Sequence, residues 1–142
     1  MTFSAWSSML QEPDMLSLPA TRSSPSIAWQ DESHSLVLKG ESYPENSFEF
    51  FAPLFSWLKA ELPRLEKLTL RVDIPYMNSS STKCMLDVLD MLAERAATGA
   101  DIRVEWLYEK GNDRAYELAE EFSEDVSLPF EIKPVHRLDE QP

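Results

Sequence analysis

The chain is poor in the residues that most enzymes and metalloproteins rely on. It has one cysteine, Cys84, so it can form no internal disulfide, and cytoplasmic residence is the expectation. Its two histidines, His34 and His136, lie far apart and, with one cysteine, make no zinc-ligand set. Only three glycines are present and none cluster, which excludes a glycine-rich phosphate loop. No acidic loop has the central glycine of a calcium site. No metal or cofactor is therefore expected. Basic residues are also scarce, 13 against 25 acidic ones, for a net charge of -12. That balance argues against nucleic acid and against an anionic membrane surface as partners. No apolar run approaches the ~18–20 residues of a membrane span. The N-terminus lacks the basic stretch and apolar block of a secretory signal.

What remains is an ordinary globular composition, 43% hydrophobic and 27% charged over 142 residues. That length suits one domain with a sizeable core. Residues 1–25 are rich in Ser, Pro and Thr without a sustained period and read as a mobile leader. Residues 26–30 and 35–39 read as two strands of an antiparallel hairpin around the polar turn 31–34. Pro44 and Glu45 suit the first turn of a helix. Phe51, Leu54, Phe55, Leu58 and Leu62 then recur at helical steps, and Phe48, Phe50 and Trp57 lie beyond that stripe. Leu68, Leu70, Val72 and Ile74 alternate on one face of a strand. Met85, Leu86, Val88, Leu89, Leu92 and Ala96 mark a second helix. Residues 101–108 form another strand. Ala115, Leu118, Ala119 and Phe122 line a third helix with an acidic outer face. A last short strand follows Pro129.

The order is β-β-α-β-α-β-α-β over residues 26–134, with a tail at 135–142. Such alternation predicts a single α/β domain with a mixed, mostly parallel sheet, an N-terminal hairpin and three helices over one or both faces.

Two stretches carry the functional signal. Tyr76-Met77-Asn78-Ser79-Ser80-Ser81-Thr82-Lys83 joins the end of a strand to the start of a helix. Ligands and modifications of open α/β sheets concentrate at that edge. A phosphate there would meet free backbone N–H groups and the positive end of the helix, with Lys83 one turn in. The plainer reading is an N-cap at Asn78 or Ser79 with hydroxyls filling the first turn, and on spacing alone it is the commoner one. Ser42-Tyr43-Pro44-Glu45-Asn46-Ser47 is the second stretch, a helix start or a recognition surface in which polar tips stand beside aromatics. Cys84 fits a small buried residue. No histidine is near it in sequence to make a nucleophile–base pair.

In these two stretches, and in Leu118-Ala119-Glu120-Glu121-Phe122-Ser123-Glu124-Asp125 leading to Leu128-Pro129-Phe130, the chain resembles the SiaC family of bacterial regulatory phosphoproteins. The likeness spans about residues 21–134. It implies a STAS-like fold, similar to anti-sigma-factor antagonists, and a non-enzymatic role in partner switching. A serine/threonine kinase would phosphorylate the start of the second helix, and a PP2C-type phosphatase would reverse it. The unphosphorylated form would bind and activate a diguanylate cyclase, raising cyclic di-GMP and favouring biofilm growth. The phosphoacceptor falls on Ser79, with Ser80 and Ser81 as alternatives. Asn78, Ser80, Lys83, Tyr43, Glu45 and Asn46 become candidate phosphate or partner contacts. Family members often carry Thr where this chain has Ser79, and Ser keeps the hydroxyl.

Two other readings compete. One is an antagonist of the same fold that binds a different, anti-sigma kinase. The other is a small acidic enzyme using carboxylates at the C-terminal edge of the sheet, which would require a deep pocket.

Overall fold

The computed structural model describes residues 15–136. Its strands are β1 (Ser17–Leu18), β2 (Ser26–Gln30), β3 (Ser35–Lys39), β4 (Lys67–Asp73), β5 (Asp101–Glu109) and β6 (Phe130–Val135). Its helices are α1 (Ser47–Glu61), α2 (Ser79–Ala97) and α3 (Asp113–Asp125). The six strands form one mixed sheet in the order β1-β2-β3-β4-β5-β6. β1, β2 and β3 pair antiparallel, and β3 to β6 run parallel. This is the α/β architecture expected from the sequence, with one strand more.

The additional strand is β1. It lies in the stretch read as leader, of which residues 1–14 lie outside the described residues, as do 137–142 of the tail. Leu16 is buried, and its carbonyl accepts from the Trp29 amide at 2.9 Å. Two paired residues in a Ser- and Pro-rich stretch are too short to show a period of their own.

Rows of paired residues alternate between the faces of the sheet. Trp29, Leu36, Leu70 and Val104 form one inward row, and Ile27, Leu38, Val72 and Trp106 form the next. All eight are buried. The helices cover this face: Trp57 of α1 packs on Trp29 at 5.2 Å between centroids, and Phe122 of α3 stacks on Trp106 at 4.8 Å. Between them α2 buries Met85, Val88, Leu89 and Leu92. So Trp57 belongs to the core, whereas Phe48 is about half exposed.

The other face has no helix over it among the described residues. A charged row occupies it, and Arg71 meets Glu105 at 2.9 Å and Lys133 meets Glu105 at 3.4 Å. Burial pushes the Glu105 carboxyl up, but its hydrogen bond to Arg71 and the charges of Arg71 and Lys133 outweigh this. They hold it below the ordinary carboxylate range.

Each helix begins at an asparagine cap. Asn46, Asn78 and Asn112 accept from the amides of Glu49, Ser81 and Ala115 at 3.0, 2.9 and 3.1 Å. The expectation that Pro44 and Glu45 form the first turn of α1 is therefore corrected. The helix starts at Ser47, because Asn46 supplies the capping oxygen that Pro44 cannot. Pro53 sits within α1 on its exposed side, where the amide it lacks is one hydrogen bond fewer.

Candidate functional site

The loop after β3 and the loop after β4 leave the same edge of the sheet and are laced together. Gly40 donates to the Asp73 carbonyl at 3.0 Å and holds φ at +121°. A side chain there would be strained and would also press on Pro25, whose Cα lies 3.3 Å from the position of a Cβ. Ser42 and Met77 then form a parallel bridge. The Ser42 amide donates to the Tyr76 carbonyl, and the Asn78 amide to the Ser42 carbonyl, both at 2.9 Å. These bonds fix the start of α1 against the start of α2.

Four serine hydroxyls meet at that junction. Ser81 lies 2.7 Å from Ser42 and 3.1 Å from Ser47, oxygen to oxygen, and all three residues are buried. Ser80 is partly buried and donates to the Ser47 oxygen at 2.8 Å. The Asn78 carboxamide, besides capping, donates to the Pro44 carbonyl at 3.4 Å. Thr82 donates to the Asn78 carbonyl at 3.1 Å. Each buried hydroxyl thus has the partner that burial demands.

Ser79 differs from its neighbours. It is exposed, is the first residue of α2, and its hydroxyl makes no hydrogen bond among the described residues. The run of three serines therefore divides by environment into one free hydroxyl, one engaged and one locked in the interior. Lys83 is exposed one turn further on, with no ion pair among the described residues. Tyr43 and Tyr76 flank the junction, 38% and 51% exposed, with ring centroids 6.0 Å apart. Glu45 and Asn46 are exposed on the same loop, and Asn46 is also committed to capping α1.

Sequence reasoning placed Ser79, Ser80, Ser81, Asn78 and Lys83 on one turn. It did not find Ser42 and Ser47 as the partners of Ser81, nor Tyr76 as the companion of Tyr43. The signal for the serines is weak: two isolated hydroxyls flanking a helix start, some 34 to 39 residues from the residue they bond.

Cys84 is buried behind this turn, and burial, with the charge of Asp87, pushes its thiol up. That suits a packing residue rather than a nucleophile. No group of three or more metal-ligating side chains occurs among the described residues, and no helix there is long and apolar enough to cross a membrane. The hollow beside the site, lined by Lys39, Glu41, Asp73, Tyr108 and Glu109 among others, has a volume of about 180 Å³. Ligand pockets commonly run from ~300 Å³ upward.

An exposed hydroxyl at a capped helix start is one that a modifying enzyme can reach. The family comparison agrees: the model for SiaC family regulatory phosphoproteins matches residues 18–135, and the chain belongs to that family. It is 40% identical over 119 residues, 83% of this chain and 94% of the relative, to an uncharacterized protein of Pseudomonas aeruginosa strain UCBPP-PA14. Among solved structures it is similar to apo-SiaC of Pseudomonas aeruginosa, with TM-score 0.79 and 39% identity over 84% of this chain and 98% of that one. It is similar also to SiaC in a complex described as the diguanylate cyclase SiaD with its activator. There the TM-score is 0.80 and identity 40%, over 84% of this chain and 99% of that one.

Proposed function

We propose that this chain is a non-catalytic, cytoplasmic phosphoprotein of a partner switch, whose unphosphorylated form binds and activates a diguanylate cyclase. Phosphorylation on Ser79 by a serine/threonine kinase turns the activator off, and a PP2C-type phosphatase restores it. The observation that carries the cyclase reading is the likeness, at 40% identity and over most of both chains, to an activator solved together with its cyclase. That complex favours a cyclase over an anti-sigma kinase as partner. Support for the position of the switch comes from the serine run itself. A kinase needs a hydroxyl it can reach, and Ser79 is the exposed member, while Ser81 is closed off and Ser80 is engaged with Ser47.

The chemistry of the switch follows from the same geometry. A phosphate at the first residue of α2 adds roughly -1.5 to -2 charge. It would sit at the positive end of the helix, where the fold tolerates it. The folded state therefore survives modification, and the change falls on the surface around Tyr43, Tyr76, Glu45 and Lys83. A partner seated there meets a new, strongly hydrated anion.

The test is affinity for the host's diguanylate cyclase and cyclic di-GMP output, measured with wild type, Ser79→Ala, Ser79→Asp and kinase-phosphorylated protein. Wild type and Ser79→Ala should bind and activate alike. The phosphorylated protein should bind at least tenfold more weakly, with Ser79→Asp between. Equal binding by all four forms would refute the switch at Ser79. No binding by wild type would refute the cyclase as partner.

A further inference from the structure

We propose that β6 is a self-pairing edge, along which two copies of this chain join antiparallel, about a two-fold axis, into one continuous sheet. The inference is independent of the proposed function.

The backbone shows that the edge is open. β6 is the last strand of the sheet. The Val104 amide donates to the Pro129 carbonyl at 2.8 Å, and the Lys110 amide to the Val135 carbonyl at 2.9 Å. The register between these points pairs Val104 with Phe130 and Glu109 with Val135. Odd-numbered residues of β6 therefore turn their amides and carbonyls to β5, and Phe130, Ile132 and Pro134 turn theirs outward. No backbone partner takes these outward groups among the described residues. Such an edge is a template for a further strand.

The side chains choose a second copy as that strand. A two-fold pairing centred on Ile132 sets Ile132 opposite Ile132, Glu131 opposite Lys133 and Phe130 opposite Pro134 of the other copy. Each charge then faces its opposite. Moving the axis by one residue sets Glu131 against Glu131 or Lys133 against Lys133, and like charges directly opposite are destabilising. Pro134 fits the same register, because there its carbonyl accepts from the Phe130 amide. Only the bond that Pro134 cannot donate is lost.

Both faces of the sheet gain by the pairing. On the helix side, Phe130 and Ile132 are partly buried at the margin of the core, with Phe130 stacked on Trp106 at 5.8 Å. A second strand covers them further. On the open side, Glu131 stands opposite Glu105 of its own sheet and shares Lys133 with it, at 3.7 and 3.4 Å. The second copy brings another lysine to these carboxylates. Of the acidic residues of α3, Glu121 and Asp125 line a hollow against α2, away from the edge. Glu117 and Glu124 are exposed a further step round the helix. Glu120 lies nearer the edge and accepts a hydrogen bond from Tyr116. The net charge of -12 on each copy repels at long range, and salt screens that repulsion.

The test is sedimentation equilibrium of the full chain from ~10 μM to ~1 mM at ~0.15 M ionic strength, with amide hydrogen exchange at both ends of that range. The mass should rise toward that of a dimer, and exchange of the Phe130 and Ile132 amides should slow as concentration rises. Glu131→Lys and Lys133→Glu should each weaken the dimer about tenfold or more, because each sets like charges together on both sides of the axis. The two changes combined should restore it to within about threefold of wild type, which a loss of local structure would not do. A monomer throughout the range would overturn the proposal and leave the edge to a strand of another protein. A dimer whose Ile132 amide stays unprotected would overturn it too, since the copies would then meet elsewhere. So would a double variant as weak as the single ones, which would refute the register.

Discussion

The two ends of the α1–α2 pair are held by different forces. At the N-terminal ends the contact is made by hydroxyls and a carboxamide, each bonded to another, with the free hydroxyl of Ser79 on the outside. At the C-terminal ends it is made largely by Leu58, Leu62 and Met91 around a groove, with Arg95 donating to the Leu65 carbonyl at 3.1 Å. Hydrogen-bonded contacts have direction and respond to one added charge, whereas apolar contacts respond to volume. The same two helices therefore meet through directional bonds at one end and chiefly through apolar packing at the other.

Substitutions at each end would sharpen this contrast. Leu58→Ala should have the largest effect, a loss of ~2–5 kcal/mol in chemical denaturation, because Leu58 is fully buried beside the groove. A loss below ~1 kcal/mol would mean that the C-terminal ends collapse to fill the gap and are not set by volume. Ser81→Ala comes next, at ~1–3 kcal/mol, because the Ser42 hydroxyl would be left buried without its partner, while Ser47 keeps Ser80 and Asn78. Ser79→Ala, two residues away, should stay within ~0.5 kcal/mol of wild type. Equal costs at the two serines would break the division between free and locked hydroxyls.

One further effect belongs to neither end. On the open face, Glu105 has its pKa held down by Arg71 and Lys133. A carboxyl with a lowered folded-state pKa contributes stability in full above its unfolded pKa, and loses it as pH falls through the folded one. Glu105→Gln should therefore cost ~0.2–1 kcal/mol at neutral pH, a figure reduced by partial exposure. Its deficit against wild type should close below about pH 4 in thermal melts. If the gap stayed constant with pH, the loss would be one of packing rather than charge.

Much of the frame was legible in the sequence because local patterns and tertiary environment agree there. The alternation of Leu68, Leu70, Val72 and Ile74 marks β4, and the stripe from Met85 to Leu92 marks α2; those residues are buried apart from the half-buried Leu86. Where local signals are short or mixed, the reading fails. β1 is held by Trp29 and Ile27 across the sheet, not by its own two residues. Pro44 advertises a helix start, yet Asn46 makes it. Whether helices cover one face or both is not written in any single strand, and the charged row of Arg71, Glu105 and Lys133 is recognisable only once register is known. The serine turn could be located by its motif. Its separation into exposed and buried hydroxyls depends on Ser42 and Ser47, which arrive from another loop.

The strands lie side by side in the order in which they are synthesised. Every strand from β2 onward therefore emerges from the ribosome with its first neighbour already made, and none waits for a later strand to be inserted beside it. Sheet pairing then spans one connection at a time, which keeps sequence separations short for a largely parallel sheet. The serine turn inherits this timing, since Ser42 and Ser47 are in place before Ser81 is made to meet them.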